Sequence, residues 1–162
     1  MTTIPEPTPA PDSTGARATG PTSILIGVDD SPESLHALDL AASLGAPQGA
    51  ALTIVHVRPT PMAFGFGPAG SIEYAEAEAA LDRAVTAEAA ARLGDYPGPW
   101  QVRVRSGNVR HELLALADEV EAELIVVGHR SHGTVRDAIL GSVAASIVHH
   151  SRRSVLVAVP PA

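Results

Sequence analysis

A chain of 162 residues is long enough for one domain with a substantial core, and with 45% apolar but only 3% aromatic residues that core must be built from Ala, Val, Leu and Ile. A net charge of −7 opposes affinity for duplex DNA or an anionic bilayer surface, so neither nucleic acid nor membrane is expected as a partner. The chain has no Cys and its 11 basic residues are all Arg, which excludes thiolate catalysis, cysteine metal sites, Schiff-base chemistry and a P-loop lysine.

Residues 1–21 are Pro, Thr, Ala and Gly with almost no large apolar side chain, so they are expected to form a disordered tail ahead of one folded domain over 22–162. They contain no apolar stretch of signal-peptide type, and no apolar run approaches the ~20 residues needed to span a bilayer. The expectation is a soluble, cytoplasmic protein.

The first element is the apolar strand "ILIGV" from Ile24, stopped by Asp29 and Asp30. In "SPESLHALDLAASLG", Ser31 is placed to cap a helix, Pro32 suits its first position, and Leu35, Leu38 and Ala42 share a face before Gly45 closes it. A strand follows over Ala50 to Val57, then a stretch from Arg58 to Ser71 that reads as a flap, then a long alanine-rich helix over Glu73 to Gly94. Within that flap, "GFGPAG" (Gly65 to Gly70) matches the dinucleotide fingerprint only by letter, because it begins well after its strand and contains Pro68.

The remaining pattern is an alternating strand over Trp100 to Gly107, a helix over Val109 to Ala122, an apolar strand over Glu123 to Gly128, a helix opening at Gly141-Ser142, and a last strand over Ser154 to Val159. Five strands alternating with four helices predict an α/β fold, an open five-stranded parallel sheet of Rossmann-like type. Ligands bind such sheets beyond the carboxyl ends of the strands, at the topological switch point. The candidate site residues are therefore those that follow the strands: Asp29 and Asp30, Val57 and Arg58, and the loop from Gly128.

The segment "VVGHRSHGTVRDAILGSVAASIV" joins a buried strand to a helix through Gly128 and Gly141. The free N–H groups and positive dipole end of the helix opening at Gly141-Ser142 suit an anion, to which Arg130 and the Ser131 hydroxyl could add donors. Asp29, at a strand's carboxyl end, can accept from ribose hydroxyls or hold a hydrated Mg²⁺; a bare role as helix-dipole partner is open to it and to Asp30. His129 with His132, and His149-His150, have no further ligands at zinc spacing, so no metal site is expected.

Across Ile24 to Val159 the chain resembles the universal stress protein family, on the strength of "GVDDSPESLHALDLA", "IVHV", "AELIVVG" and "GHRSHGTVRDAILGSVAASIVHHSRRSVLVAV". The ATP-binding branch of that family carries G-x2-G-x9-G-[ST]; this chain keeps the spacing with Gly128, Ser131, Gly141 and Ser142, Ser131 standing where the motif has its second glycine. The resemblance implies an adenine-nucleotide alpha hydrolase-like fold with ATP as its ligand. It implies that Asp29 lies beside the adenosine, that the backbone of Val57 faces adenine, and that Val127 and Gly128 lie by the ribose. Ser131, Gly141, Ser142, Val143 and Ala144 would then meet the triphosphate; Gly27 and Arg130 are further cofactor-binding candidates.

The last strand, apolar and without a guarding charge, is expected at a sheet edge, where it would pair with its counterpart in a homodimer through Val155 to Val159. The family's usual dimerisation mode points the same way. The residues leave three uses open: a nucleotide-binding stress or signalling switch, an interaction module of the same fold that binds no nucleotide, and a slow ATP hydrolase. No side chain in the sequence is fixed as a general base.

Overall fold

The computed structural model describes residues 20–58, 68–129 and 141–161. The elements are β1 (Ser23–Gly27), α1 (Pro32–Gly45), a 3-10 turn (Ala46–Gln48), β2 (Ala51–Arg58), α2 (Pro68–Arg92), β3 (Trp100–Ser106), α3 (Val109–Glu119), β4 (Leu124–Gly128), α4 (Ser142–His150) and β5 (Ser154–Ala158). All strand pairings are parallel, in the order β3-β2-β1-β4-β5. This is the α/β sheet with four helices that the alternation of elements implies.

The apolar runs explain which strands are central. Ile24, Leu25 and Ile26 of β1 are fully buried, and so is Ile125 of β4, because helices cover both faces of the sheet there. On one face Ile24, Ile26, Leu52 and Ile54 pack against Ala37, Leu38 and Ala41 of α1 and Val85, Ala89 and Leu93 of α2. On the other, Leu25, Val55, Ile125 and Val127 pack against Leu113, Leu116 and Ala117 of α3 and Ala144 and Ile147 of α4. β3 alternates because it is an edge strand, with Arg103 and exposed Val104 at the rim.

Most boundaries fall within a residue or two of the sequence expectation, and three differences have a local reason. Arg58 is the last residue of β2, paired in register with Ser106, and so is not part of a flap. α2 begins at Pro68 rather than Glu73; proline fits a first helical turn, where its missing N–H has no intrahelical acceptor to lose. The expected flap is therefore helical from Pro68, and its residues 59–67 lie outside the described residues.

α3 stops at Glu119, three residues before Ala122, because Glu121 takes a left-handed conformation at φ 50°. Residues 1–19 also lie outside the description, so the tail expected over 1–21 is described only at Gly20 and Pro21. There the Pro21 carbonyl accepts from Gln48 Nε2 at 2.8 Å. Among the described residues no helix is long and apolar enough to cross a membrane.

Candidate functional site

β1 and β4 are neighbours in the sheet, but the helix after β1 packs on one face and the helix after β4 on the other. A crevice must open where the chain parts, at the carboxyl ends of these strands. A cavity of about 480 Å³ lies there. Gly27 and Asp29 line it from the end of β1, Val57 from β2, and Val127 and Gly128 from β4.

Gly141, Ser142, Val143 and Ala144 close it with the first turn of α4. The residues expected from the loop motif and from the strand ends thus border one space, although Arg130 and Ser131 lie outside the described residues, as does His132. A broader depression of about 550 Å³ adjoins it, sharing Val109, Ser142 and Val143 and lined further by Asn108 and Arg110.

The β1–α1 turn is built by its own short side chains. Ser31 caps α1, its Oγ accepting from the Ser34 N–H at 3.3 Å, and donates its hydroxyl to Asp29 Oδ1 at 2.5 Å. The Asp29 N–H in turn donates to Ser34 Oγ at 3.2 Å. The cap that starts the helix therefore also fixes the carboxylate at the cavity mouth. Asp30 takes φ 62°, a left-handed conformation that Asp tolerates better than most residues, and lets the strand turn sharply into α1.

The opposite end of the cavity is a helix N-terminus. The first intrahelical bond of α4 runs from the Ala145 N–H to the Gly141 carbonyl at 2.8 Å, which leaves the N–H groups of Ser142, Val143 and Ala144 without an intrahelical acceptor. Gly141 is the N-cap and has no side chain to occupy them. Its φ of −52° and ψ of 149° suit any L-residue, so the backbone conformation itself does not require glycine there.

The β2–α2 wall carries polar groups that the sequence alone did not single out. His56, only 3% exposed, lies on the α1/α2 face of β2, opposite to Val57. Its Nδ1 lies 3.0 Å from the Val28 carbonyl; a carbonyl only accepts, so Nδ1 carries the proton and donates. Its Nε2 lies 3.9 Å from Asp82 Oδ1, and Asp82 is already engaged by Arg58, whose Nε donates to Oδ1 at 3.2 Å while its Nη2 meets Oδ2.

Tyr74, Glu78 and Asp82 recur every four residues and so form one stripe on α2. The Tyr74 phenol is raised above its ordinary pKa by desolvation, and then by the charge of Glu78 and the hydrogen bond between them. Two buried side-chain atoms on this wall, His56 Nε2 and Glu78 Oε2, have no hydrogen-bond partner among the described residues. A buried polar atom left unpaired costs about 1–3 kcal/mol. The signals for them were present in the sequence as the one polar residue in "TIVHV" to follow Thr53, and as the four-residue spacing along α2.

Charged side chains bordering the cavity among the described residues are the acids Asp29, Glu33 and Glu78. Among the described residues the site is thus polarised: acceptors at the β1, β2 and α2 end, and N–H donors without intrahelical acceptors, with a positive dipole, at the α4 end. Such a space fits a molecule with donor groups at one end and an anion at the other.

The family model described as "Universal stress protein family" matches residues 21–159. Among characterised relatives, Universal stress protein A homolog 1 of Coxiella burnetii is 34% identical over 140 residues, covering 82% of this chain and 92% of its own. A universal stress protein solved in complex with cAMP is 29% identical with a TM-score of 0.58, covering 85% of this chain and 96% of its own. Universal stress protein UspA from Lactobacillus plantarum, at 23% identity and a TM-score of 0.72, shares the fold over 85% of this chain and 97% of its own. With its strand order, its cavity at the β1/β4 switch point and this match along almost the whole described chain, the protein belongs to the universal stress protein family.

Proposed function

We propose that this chain binds an adenine nucleotide, ATP foremost, in the cavity at the carboxyl ends of β1, β2 and β4, and acts in the cytoplasm as a stress-response or signalling switch with little or no hydrolysis. The observation that carries the reading is the polarity of the cavity, with the N–H groups of Ser142, Val143 and Ala144, which have no intrahelical acceptor, at one end and Asp29 at the other. The triphosphate would lie against α4 and the loop that holds Arg130 and Ser131, and the ribose beside Asp29, Val127 and Gly128. The base would lie towards Gly27 and Val57. Asp29 would accept from ribose hydroxyls or hold a hydrated Mg²⁺.

The relative solved with cAMP, 29% identical, supports an adenine nucleotide as the ligand class. Little hydrolysis is expected because the chain has no lysine to bind a γ-phosphate, and no candidate base is fixed beside one. β5 forms an outer edge of the sheet, and we infer that it joins two copies into a homodimer, which would make the nucleotide-dependent surface a two-fold one.

The test is calorimetric titration of the full chain with ATP and Mg²⁺, with any nucleotide retained on purification identified after denaturation. Saturable binding near one nucleotide per chain is the expected result. Absence of both binding and retained nucleotide would favour the interaction module, a reading for which Ser131 in place of the motif's glycine speaks.

A further inference from the structure

Among the described residues His56 Nε2 and Glu78 Oε2 are buried without hydrogen-bond partners, and both residues line the cavity from its β2–α2 wall. Asp82, one helical turn beyond Glu78, brings a further carboxylate oxygen to 3.9 Å from His56 Nε2. All three are of one kind. With Nδ1–H donating to the Val28 carbonyl, Nε2 can only accept in the ring's uncharged form, as can the two carboxylates in their ionised form. Asp82 is neutralised by Arg58, so it does not supply the missing group. What the described part of the wall lacks is a donor, and an amine carries two hydrogens for two such acceptors.

We propose that this wall reads an exocyclic amine, the 6-amino group of a purine, with Glu78 as the specificity-determining residue and His56 as the second acceptor. The inference rests on the nucleotide reading above and adds to it the chemistry by which the base is chosen. His56 lies on the α2 side of the sheet and Val57 on the other, so the side-chain contacts to the amine are separate from any made by the Val57 backbone. A base with a carbonyl at the same position would set one more acceptor against two, and would be rejected. Tyr74, one turn earlier on α2, is hydrogen-bonded to the Glu78 carboxylate.

The experiment titrates the full chain with ATP and, separately, with inosine triphosphate, which differs by a carbonyl in place of the 6-amine. The wild-type chain is expected to bind ATP at least ~10-fold more tightly, because an analogue without the donor leaves buried acceptors unpaired. Glu78→Gln, whose amide can donate to that carbonyl, is expected to narrow the ratio to below about threefold, mostly by tightening inosine triphosphate. Equal wild-type affinities, or a ratio unmoved by Glu78→Gln, would overturn the amine assignment and leave nucleotide binding standing. Binding of neither would overturn both.

A second measurement does not depend on the variant. The amine protons of ATP carrying ¹⁵N at the 6-amino group should shift and slow in exchange on binding to the wild-type chain. Amine signals that stay as in free ATP under saturation would overturn the proposal.

Discussion

Gly128, the last residue of β4, is pressed against the carbonyl of Glu33 in the first turn of α1. A Cβ placed on it would stand 2.5 Å from the Glu33 oxygen, 2.6 Å from its carbon and 2.8 Å from the Ser34 nitrogen. All three are backbone atoms, so a methyl group can be admitted only if the helix retreats. The first glycine of the loop motif is therefore a packing device that lets α1 begin directly over the switch point.

Gly128→Ala is accordingly expected to destabilise the fold by about 1–3 kcal/mol, the usual scale for an extra methylene forced into a packed site. Because Ser31 and Ser34 hold Asp29, a displaced α1 should weaken ATP binding as well. Urea unfolding of both proteins measures the first effect. An unchanged midpoint would mean that α1 yields without cost.

The second conserved-spacing glycine of the pair makes a contrasting case. Gly141 caps α4 at ordinary dihedral angles, so a side chain can be added there without backbone strain. Serine is a better N-cap than glycine by a few tenths of a kcal/mol, because its oxygen accepts from a free N–H of the first turn. Gly141→Ser should therefore leave the unfolding midpoint equal or slightly raised while weakening ATP, since the same N–H groups are wanted by phosphate. Thermal unfolding and titration calorimetry on one preparation separate the two. Undiminished affinity would move the phosphate away from α4.

Glu123 links the start of β4 to the start of β1. Its carboxylate accepts from the Thr22 N–H at 2.9 Å and the Thr22 hydroxyl at 3.0 Å, and these two bonds hold its pKa below the ordinary value. A carboxylate depressed in the folded state binds its proton more weakly there than in the unfolded chain. Its contribution is thus present above the unfolded pKa and is lost as pH falls through the folded one.

Glu123→Gln should lower the melting temperature slightly at neutral pH, and the difference from wild type should close as pH drops below about 4.5. The carboxylate is exposed, so the effect will shrink in salt. Parallel melting curves of variant and wild type across pH 3 to 7, about the glutamate range, provide the check. A difference that did not depend on pH would trace the loss to packing rather than charge.

How much of this was legible in the sequence depended on whether the signal was local. Strand and helix order followed from apolar periodicity, and the Ser31 cap with Pro32 behind it was readable because capping is decided within four residues. That Asp29, Val57 and Gly128 border the cavity was legible because a parallel sheet opens its crevice at carboxyl ends, whereas Val127 came only with the family resemblance. His56 and Glu78 left only faint marks, a polar residue in an apolar strand and a four-residue spacing, because their interest lies in partners they lack among the described residues. The true start of α2 was hidden by Pro68 and two glycines, which resemble a loop until the helix is seen to begin on the proline. Gly128 looked like a turn glycine, because its contact with Glu33 lies far along the chain.

β5 poses the remaining question, that of assembly. It is hydrogen-bonded to β4 on one side only among the described residues, and just beyond it Val159 is 63% exposed, the most exposed large apolar side chain described. The other edge strand, β3, carries Arg103 and Arg105 and so is guarded against pairing, whereas β5 between Ser154 and Ala158 carries no charge. The asymmetry selects β5 as the edge on which a second copy would pair. A charge at the join should prevent it at little cost to the monomer, because Val159 is already exposed. In sedimentation velocity the wild-type chain is therefore expected as a dimer and Val159→Lys as a folded monomer with unchanged circular dichroism. A wild-type chain that sediments as a monomer at every concentration would remove the β5 interface, and a variant that stays dimeric would move it to another face.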